Sequence, residues 1–249
     1  MSSRADQKAA ARERRLQREQ EERRAAQRRH NRRLLAVIVV AALSLVGTAV
    51  YVARPKDEAP PAPAAVAASS ALAGISQDGL TLGSPSAPAT LVEFADPQCP
   101  YCGMYARDVL PSVIDRYVRT NQLKLDLQVL TFLGEDSVEA GRMAGAAAEQ
   151  DRLWNFAEAF FGSQGEENSG YVTDEFLRDV GTAAGLDVDK AFSRAGDQDL
   201  KAAQDYADEL GIQSTPSFVL VKDGKVQPVE PSDLTPAAMA DAIDEALGA

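Results

Sequence analysis

Two cysteines are the reactive side chains of this 249-residue chain, and only two residues separate them. The motif Cys99-Pro100-Tyr101-Cys102 directly follows the apolar segment Ala89 to Ala95 and precedes apolar residues at helical spacing. A cysteine at a helix N-terminus is favoured as a thiolate by the unpaired N–H groups and the helix dipole. We therefore predict that Cys99 is a redox nucleophile and that Cys102, one turn later, forms or resolves a disulfide with it. Pro100 would stiffen that first turn.

Three other uses of the cysteine pair compete with the redox one, and a pair of unreactive thiols is even less favoured than a structural disulfide in an oxidising compartment. A zinc site needs two further sulfur or imidazole ligands, but the chain has no other cysteine and its one histidine, His30, precedes a predicted membrane span. We therefore predict no metal site. A structural disulfide that closes so short a loop stabilises a fold by only roughly 2 kcal/mol. It would leave a non-catalytic binding or chaperone module, and this alternative stays open.

The first 77 residues have compositions that do not suit a soluble core. Residues 1–33 hold twelve Lys or Arg against five Asp or Glu, a local charge of +7, which predicts a basic cytoplasmic tail. Residues 34–53 carry no charge and are long enough to cross a bilayer as one transmembrane helix. The basic residues before this span place the N-terminus in the cytoplasm. Residues 54–77 are rich in Pro and Ala, as in a linker.

A cleaved secretory signal is the alternative to a membrane anchor. Its apolar region is usually shorter than this one, and the nearest suitable cleavage site, Ala71-Leu72-Ala73, lies far beyond the apolar run. The sequence therefore favours an uncleaved anchor. Under either interpretation the residues after the apolar segment are exported to a compartment where disulfides persist. The whole chain has a net charge of −11, which leaves −18 for the residues after the basic tail, so this part of the chain is not expected to bind nucleic acid.

Residues 78–249 are predicted to form one α/β domain. Alternating or apolar runs predict strands at 79–83, 89–95, 123–130, 217–222 and 225–229, and Asp223-Gly224 favours a tight hairpin between the last two. A helix from about 101 to 121, with Pro111 expected to kink it, links the second and third of these strands, which predicts a parallel pair. Helical patterns fill about 136–210, and a last helix covers 235–247.

At this point the chain resembles the DsbA-like branch of the thioredoxin superfamily, in particular its membrane-anchored bacterial members. The resemblance covers roughly residues 79–249. It rests on four segments: VEFADPQCPYC, LPSVIDRYV, AGRMAGAAAEQDRLWNFAEAFF and GIQSTPSFVL. It implies a thioredoxin fold with an inserted all-helical subdomain, a redox-active disulfide and no bound cofactor.

The resemblance also assigns residues away from the cysteines. Thr215-Pro216 matches the cis-proline that faces the dithiol in this family, where the main chain of Thr215 would pair with a substrate segment. The residues alone would favour a trans bond. Glu93 matches a buried acid that exchanges a proton with Cys102, although a solvated Glu at a strand edge is the simpler interpretation. Asp96 is expected in an exposed loop, where its charge would oppose a thiolate at Cys99.

The direction of electron flow is less determined than the chemistry. Strongly oxidising members of the resembled family carry His where this chain has Tyr101, so we expect a weaker oxidant. Export and the helical insertion favour disulfide formation in exported cysteine-containing proteins over reduction or isomerisation. An oxidase of this family implies a quinone-linked membrane partner that restores the disulfide, whereas a reductase needs a transmembrane electron donor.

Overall fold

The domain is built on one mixed sheet. The computed structural model describes residues 71–194, 196 and 198–248. Its strands are β1 (Gln77–Asp78), β2 (Thr81–Leu82), β3 (Ala89–Ala95), β4 (Lys124–Val129), β5 (Ser217–Lys222) and β6 (Lys225–Pro228). They lie in the order β1-β2-β4-β3-β5-β6. The pair β3 and β4 is parallel, as predicted, and every other pair is antiparallel.

The central strand β3 is buried on both faces, as its apolar sequence predicts. Because side chains alternate along a strand, Leu91, Glu93 and Ala95 share one face, and Val92 and Phe94 share the other. Leu91 and Ala95 belong to the larger apolar cluster of the domain, whereas Val92 and Phe94 belong to a smaller one. The strand therefore places Glu93 on the larger core.

One long helix, here called the active-site helix, follows β3 from Pro100 to Val118. It begins with α1 (Pro100–Met104), widens to π-helical turns at Tyr105–Val109, returns to α-helix in α2 (Leu110–Val113) and ends with π-helical turns at Ile114–Val118. The first widening directly precedes Pro111, whose ring nitrogen has no hydrogen to donate to the previous turn. The sequence predicts a kink at Pro111, and the structure has a wider helical turn before this residue.

Among the described residues between β4 and β5, where the sequence predicts an inserted helical subdomain, there are five helices. They are α3 (Glu135–Ala148), α4 (Leu153–Gly162), α5 (Asp174–Ala183), α6 (Val188–Arg194) and α7 (Gln198–Leu210). Apolar and aromatic side chains hold α4 and α5 together, with Phe160 and Phe176 in edge-to-face contact at 5.5 Å between ring centroids. Residues of α7 cover the smaller core on the second face of the sheet.

The chain closes with a hairpin and a helix. Asp223 and Gly224 both have positive φ, at 52° and 73°, which fits the tight turn that the Asp-Gly pair predicts. The helix α8 (Pro236–Leu247) is capped by the side chain of Thr235, which accepts from the N–H of Ala238. Tyr117 of the active-site helix donates to Asp244 at 2.7 Å and so joins the two helices.

Described residues before the predicted boundary at residue 78 already pack on the domain. Leu72 is buried, Ile75 packs against the larger core, and the side chain of Gln77 donates to Asn155 at 2.7 Å. These residues lie in the segment predicted as a linker. No helix among the described residues is long and apolar enough to cross a membrane. The basic tail and the span predicted at 34–53 lie outside the described residues.

Candidate active site

Cys99 lies where β3 gives way to the active-site helix. Its main chain is extended, it directly precedes the first turn, and Pro100 occupies the first helical position. The side chain is only 5% exposed. When protonated, its thiol donates to the main-chain oxygen of Thr215, 3.3 Å from the sulfur. The fold thus brings together two motifs that are 116 residues apart in the chain.

The two thiols of the motif are in different environments. A hydrogen bond from Cys102 is the largest cause that lowers the pKa of Cys99 from 9.0 to about 6. Burial opposes this shift, while the side chain of Thr215 and the N–H groups of Cys102 and Tyr101 assist it. Cys102 is fully buried, and burial is the main reason why its pKa is raised well above the ordinary value. At neutral pH, Cys99 is therefore a thiolate and Cys102 keeps its proton.

A groove opens beside this dithiol. The peptide bond between Thr215 and Pro216 is cis, and both residues line the groove, as does Tyr101, whose side chain is 61% exposed. The groove has a volume of about 600 Å³. It continues past Val226, another exposed apolar side chain, to the loop that leads into α8. This space is wide enough for an extended segment of polypeptide.

Glu93 is buried beneath the active-site helix, at 4% exposure. The interpretation of this residue as a solvated glutamate at a strand edge is therefore wrong. Burial raises its pKa from 4.5 to about 8, and its charge acts on both Cys102 and Tyr105. A cavity of about 20 Å³, roughly the space of one water molecule, adjoins it and is also lined by Glu158. Glu93 thus holds a proton at neutral pH close to the buried thiol.

The expectation for Asp96 was wrong, because this side chain is fully buried. Its carboxylate accepts hydrogen bonds from the N–H of Gln98 at 2.8 Å, the hydroxyl of Ser137 at 2.6 Å and the N–H of Leu133 at 3.1 Å. Three donors compensate a buried carboxylate for the loss of water. Asp96 therefore fastens the loop before Cys99 to the start of the helical insertion.

Gln164, just after α4, fastens the same loop, although no local sequence pattern indicates this role. Its side-chain amide donates to the main-chain oxygens of Pro97, at 2.8 Å, and Cys99, at 3.0 Å. Its carbonyl oxygen lies against Gly103, where an added Cβ would approach it to 2.2 Å. Glycine at this position therefore lets the insertion touch the first turn of the active-site helix.

Further polar contacts join the insertion to the redox motif. Asn168 donates its N–H to the side chain of Gln98 at 2.8 Å, and Arg107 donates to the main-chain oxygen of Phe161 at 2.7 Å. Together with Gln164 these residues connect the segment after α4 to both sides of Cys99. A local sequence pattern does not reveal such contacts, because each one spans more than fifty residues.

Comparison with known proteins supports the thioredoxin fold and the dithiol site. A family model described as Thioredoxin matches residues 76–245. Disulfide bond formation protein D of Bacillus subtilis is 27% identical over 148 residues, which are 55% of this chain and 65% of that protein. The chain thus spans about two thirds of the length of this relative.

Solved structures give the same result for the fold. The oxidised BdbD protein of Bacillus subtilis has a TM-score of 0.56 at 22% identity, over 70% of this chain and 98% of that one. A thioredoxin-like oxidoreductase from Silicibacter pomeroyi has a TM-score of 0.53 at 27% identity, over 68% of this chain and 92% of that one. The chain belongs to the thioredoxin family. Its fold and dithiol are those of a DsbA-like protein thiol-disulfide oxidoreductase.

The first test concerns the donor that stabilises the Cys99 thiolate. Cys102→Ala removes that donor, so the pKa of Cys99 should rise from about 6 towards the ordinary value of 9.0. Cys102→Ser keeps a hydroxyl donor and should give a smaller rise. The ultraviolet absorbance of the thiolate, followed against pH, measures both. If Cys99 has the wild-type pKa in both variants, Cys102 is not the donor that stabilises the thiolate.

The second test concerns Gln164. Gln164→Ala leaves the oxygens of Pro97 and Cys99 without their donor, which loosens the loop that holds the Cys99 sulfur against the N–H groups of the first helical turn, and should therefore raise the pKa of Cys99. The control is Gln150→Ala, since that side chain also bridges to a main chain, at Asp187, but far from the dithiol. If the pKa of Cys99 is the same in Gln164→Ala and Gln150→Ala, the role of Gln164 is structural only.

Proposed function

We propose that this chain catalyses disulfide formation in exported proteins, from a membrane-anchored position outside the cytoplasm. The proposal is carried by one observation: the Cys99 thiolate with its lowered pKa stands beside the buried, protonated Cys102 at the head of an open groove. Stabilisation of the thiolate favours the reduced dithiol over the disulfide. A site of this kind tends to pass its disulfide on to another protein.

The first step transfers the disulfide to the substrate. In the oxidised form a substrate thiolate attacks the Sγ atom of Cys99, a bond forms between these two sulfurs, and the bond between Cys99 and Cys102 breaks. Cys102 leaves as a thiolate and takes up a proton, because its own pKa is high. Glu93 is the nearby acid that is still protonated below pH of about 8, so we assign it the supply of this proton.

The second step releases the product. A second thiolate of the substrate attacks the substrate sulfur of the mixed disulfide, and Cys99 leaves as a thiolate. The substrate has then lost two electrons and gained a disulfide, while Cys99 and Cys102 have gained those electrons. The low pKa of Cys99 makes it a good leaving group in this step. Main-chain groups of Thr215, which face the Cys99 sulfur, would hold the substrate in an extended form during both steps.

The strength of the oxidant follows from the thiolate. A pKa of about 6 lies between the value of about 7 in thioredoxin and the value of about 3.5 in DsbA. The reduction potential should then lie between their values of about −270 and −120 mV. This supports the expectation, drawn from Tyr101, of an oxidant weaker than DsbA.

The same proposal includes the membrane topology of the enzyme and the partner that re-oxidises it. The uncharged segment 34–53 would anchor the chain, with the basic tail in the cytoplasm and the catalytic domain on the other side. A membrane partner linked to quinone would restore the disulfide after each turnover. No cofactor beyond the disulfide itself is required by the steps above.

The direct test uses the purified protein and reduced, unfolded ribonuclease. The oxidised protein should form disulfides in ribonuclease, Cys99→Ser should not, and glutathione titration should give a potential above about −240 mV, midway between the glutaredoxin and thioredoxin values. A lower potential, together with catalysed reduction of insulin by dithiothreitol, would assign the reductase instead. A disulfide that resists glutathione throughout would leave only a structural bridge.

Glu93 predicts how stability depends on pH. Its pKa is raised by burial from 4.5 to about 8, so between these values the folded protein holds a proton that the unfolded chain has lost. Stability should therefore fall as pH rises from about 4.5 to about 8. In Glu93→Gln this fall should be absent, with a gain on the order of 5 kcal/mol above pH of about 8.

Urea unfolding of the wild type and of Glu93→Gln, at several pH values, measures this difference. Glu158→Gln serves as the control, because Glu158 lines the same cavity from its outer side. Parallel stability curves for the wild type and Glu93→Gln would show that Glu93 is not protonated in the folded protein. Slower reaction of the oxidised Glu93→Gln protein with substrate thiols is expected from the missing proton donor.

A further inference from the structure

The charged side chains that line the groove are all acidic. Among the described residues of its lining, Glu230 and Asp233 carry charge, both are exposed, and no Lys or Arg takes part. They lie on the loop between β6 and α8 and line the same groove as Tyr101 and Thr215. A peptide that fills the groove would therefore meet negative charge on this loop.

The other walls of the groove indicate an extended polypeptide as occupant. Phe218, Val226 and Leu234 give it apolar surface, and Thr215 offers main-chain groups next to Cys99. The edge strand β6 is exposed along its whole length and contributes Val226, Gln227 and Pro228 to the groove lining, and its outer main-chain groups have no neighbouring strand among the described residues. Apolar surface with main-chain groups suits alternate side chains and the backbone of a bound segment.

The two acidic residues differ in how free they are to meet a ligand. Asp233 accepts a hydrogen bond at 2.6 Å from the hydroxyl of Thr235, which itself caps α8. Glu230 forms no hydrogen bond or ion pair with any described residue, and it stands next to Pro231, which limits the motion of its main chain. Glu230 is therefore the carboxylate that is available to pair with a ligand.

We infer that the groove selects substrate segments that carry Lys or Arg near the reactive cysteine, and disfavours those that carry Asp or Glu there. The inference rests on the proposed function and names the substrate class for it. A carboxylate and an ammonium group in partial contact with water attract each other weakly, so a preference of about 3- to 10-fold in reaction rate is expected. Salt should weaken it.

The experiment uses short peptides with one cysteine. Each peptide has a single Lys or Glu at one of the positions around the cysteine and neutral residues elsewhere. The rate at which each peptide opens the disulfide of the oxidised protein is measured at low salt by acid quenching and alkylation. Because a neighbouring charge also changes the pKa of the peptide thiol, each rate is divided by the rate of the same peptide with a neutral dipyridyl disulfide.

Two charge-reversal variants separate the groove from the general charge of the protein. Glu230→Lys should abolish or reverse the preference for Lys peptides. Glu175→Lys changes the net charge equally, but Glu175 is an exposed residue of α5, outside the groove, so the preference should persist. A cooperative urea-unfolding transition at the wild-type midpoint shows that both variants are folded.

Each other outcome has a definite meaning. Equal rates for Lys and Glu peptides, with ready reaction of both, would overturn the inference and leave the proposed function standing. An equal loss of preference in Glu230→Lys and Glu175→Lys would assign the effect to net charge and would also overturn it. Failure of every peptide to react would contradict the proposed function itself.

Discussion

The site depends on two cysteine thiols with unequal pKa values. Cys99 stands before the first turn of a helix, where N–H groups and the Cys102 thiol stabilise its negative charge, while at Cys102 the effect of burial outweighs one hydrogen bond from the main chain of Asp96. If both thiols were exposed, both would titrate near their ordinary values and neither would be a distinct nucleophile. The position of the motif, between a buried strand and the helix that covers it, creates the difference.

The surrounding structure supports this inequality at several levels. β3 brings Glu93 beneath the helix, the loop before Cys99 is fastened by Asp96 and Gln164, and the cis bond at Pro216 brings the main chain of Thr215 to the sulfur. The helical insertion is thus part of the active site, since its side chains bind the main chain on both sides of the reactive cysteine. A thioredoxin fold without the insertion would lack the contacts of Gln164.

Much of this arrangement was predictable from local patterns. The apolar run of β3 and the Asp-Gly hairpin agree with the structure, and the helices of the insertion occupy the segment of about 136–210 that was predicted to be helical. Such elements follow from periodicity and turn chemistry, which act over a few residues. The resemblance to the DsbA-like family, carried by the dithiol and the Thr-Pro motif, added the fold and is supported by the thioredoxin family match.

The contacts that tune the site were not predictable in the same way. Asp96 looked like an ordinary loop residue, yet Ser137 and Leu133, far along the chain, make its burial favourable. The clamp by Gln164 depends on the close approach that Gly103 permits. Leu72 likewise packs against the core, so the domain includes part of a segment whose composition suggests a linker. These features arise from tertiary packing and leave no periodic signal.

The most direct test of the unequal pair is the reduction potential measured against pH, by equilibration of the domain with glutathione. If Cys99 has a pKa of about 6 and Cys102 a much higher one, two electrons are accompanied by two protons below pH of about 6 and by one proton above it. The potential should then fall by about 59 mV per pH unit at first and by about 30 mV per unit beyond that point. A single slope of about 59 mV that continues to pH of about 8 would show that Cys99 is not a thiolate at neutral pH, and it would contradict the account.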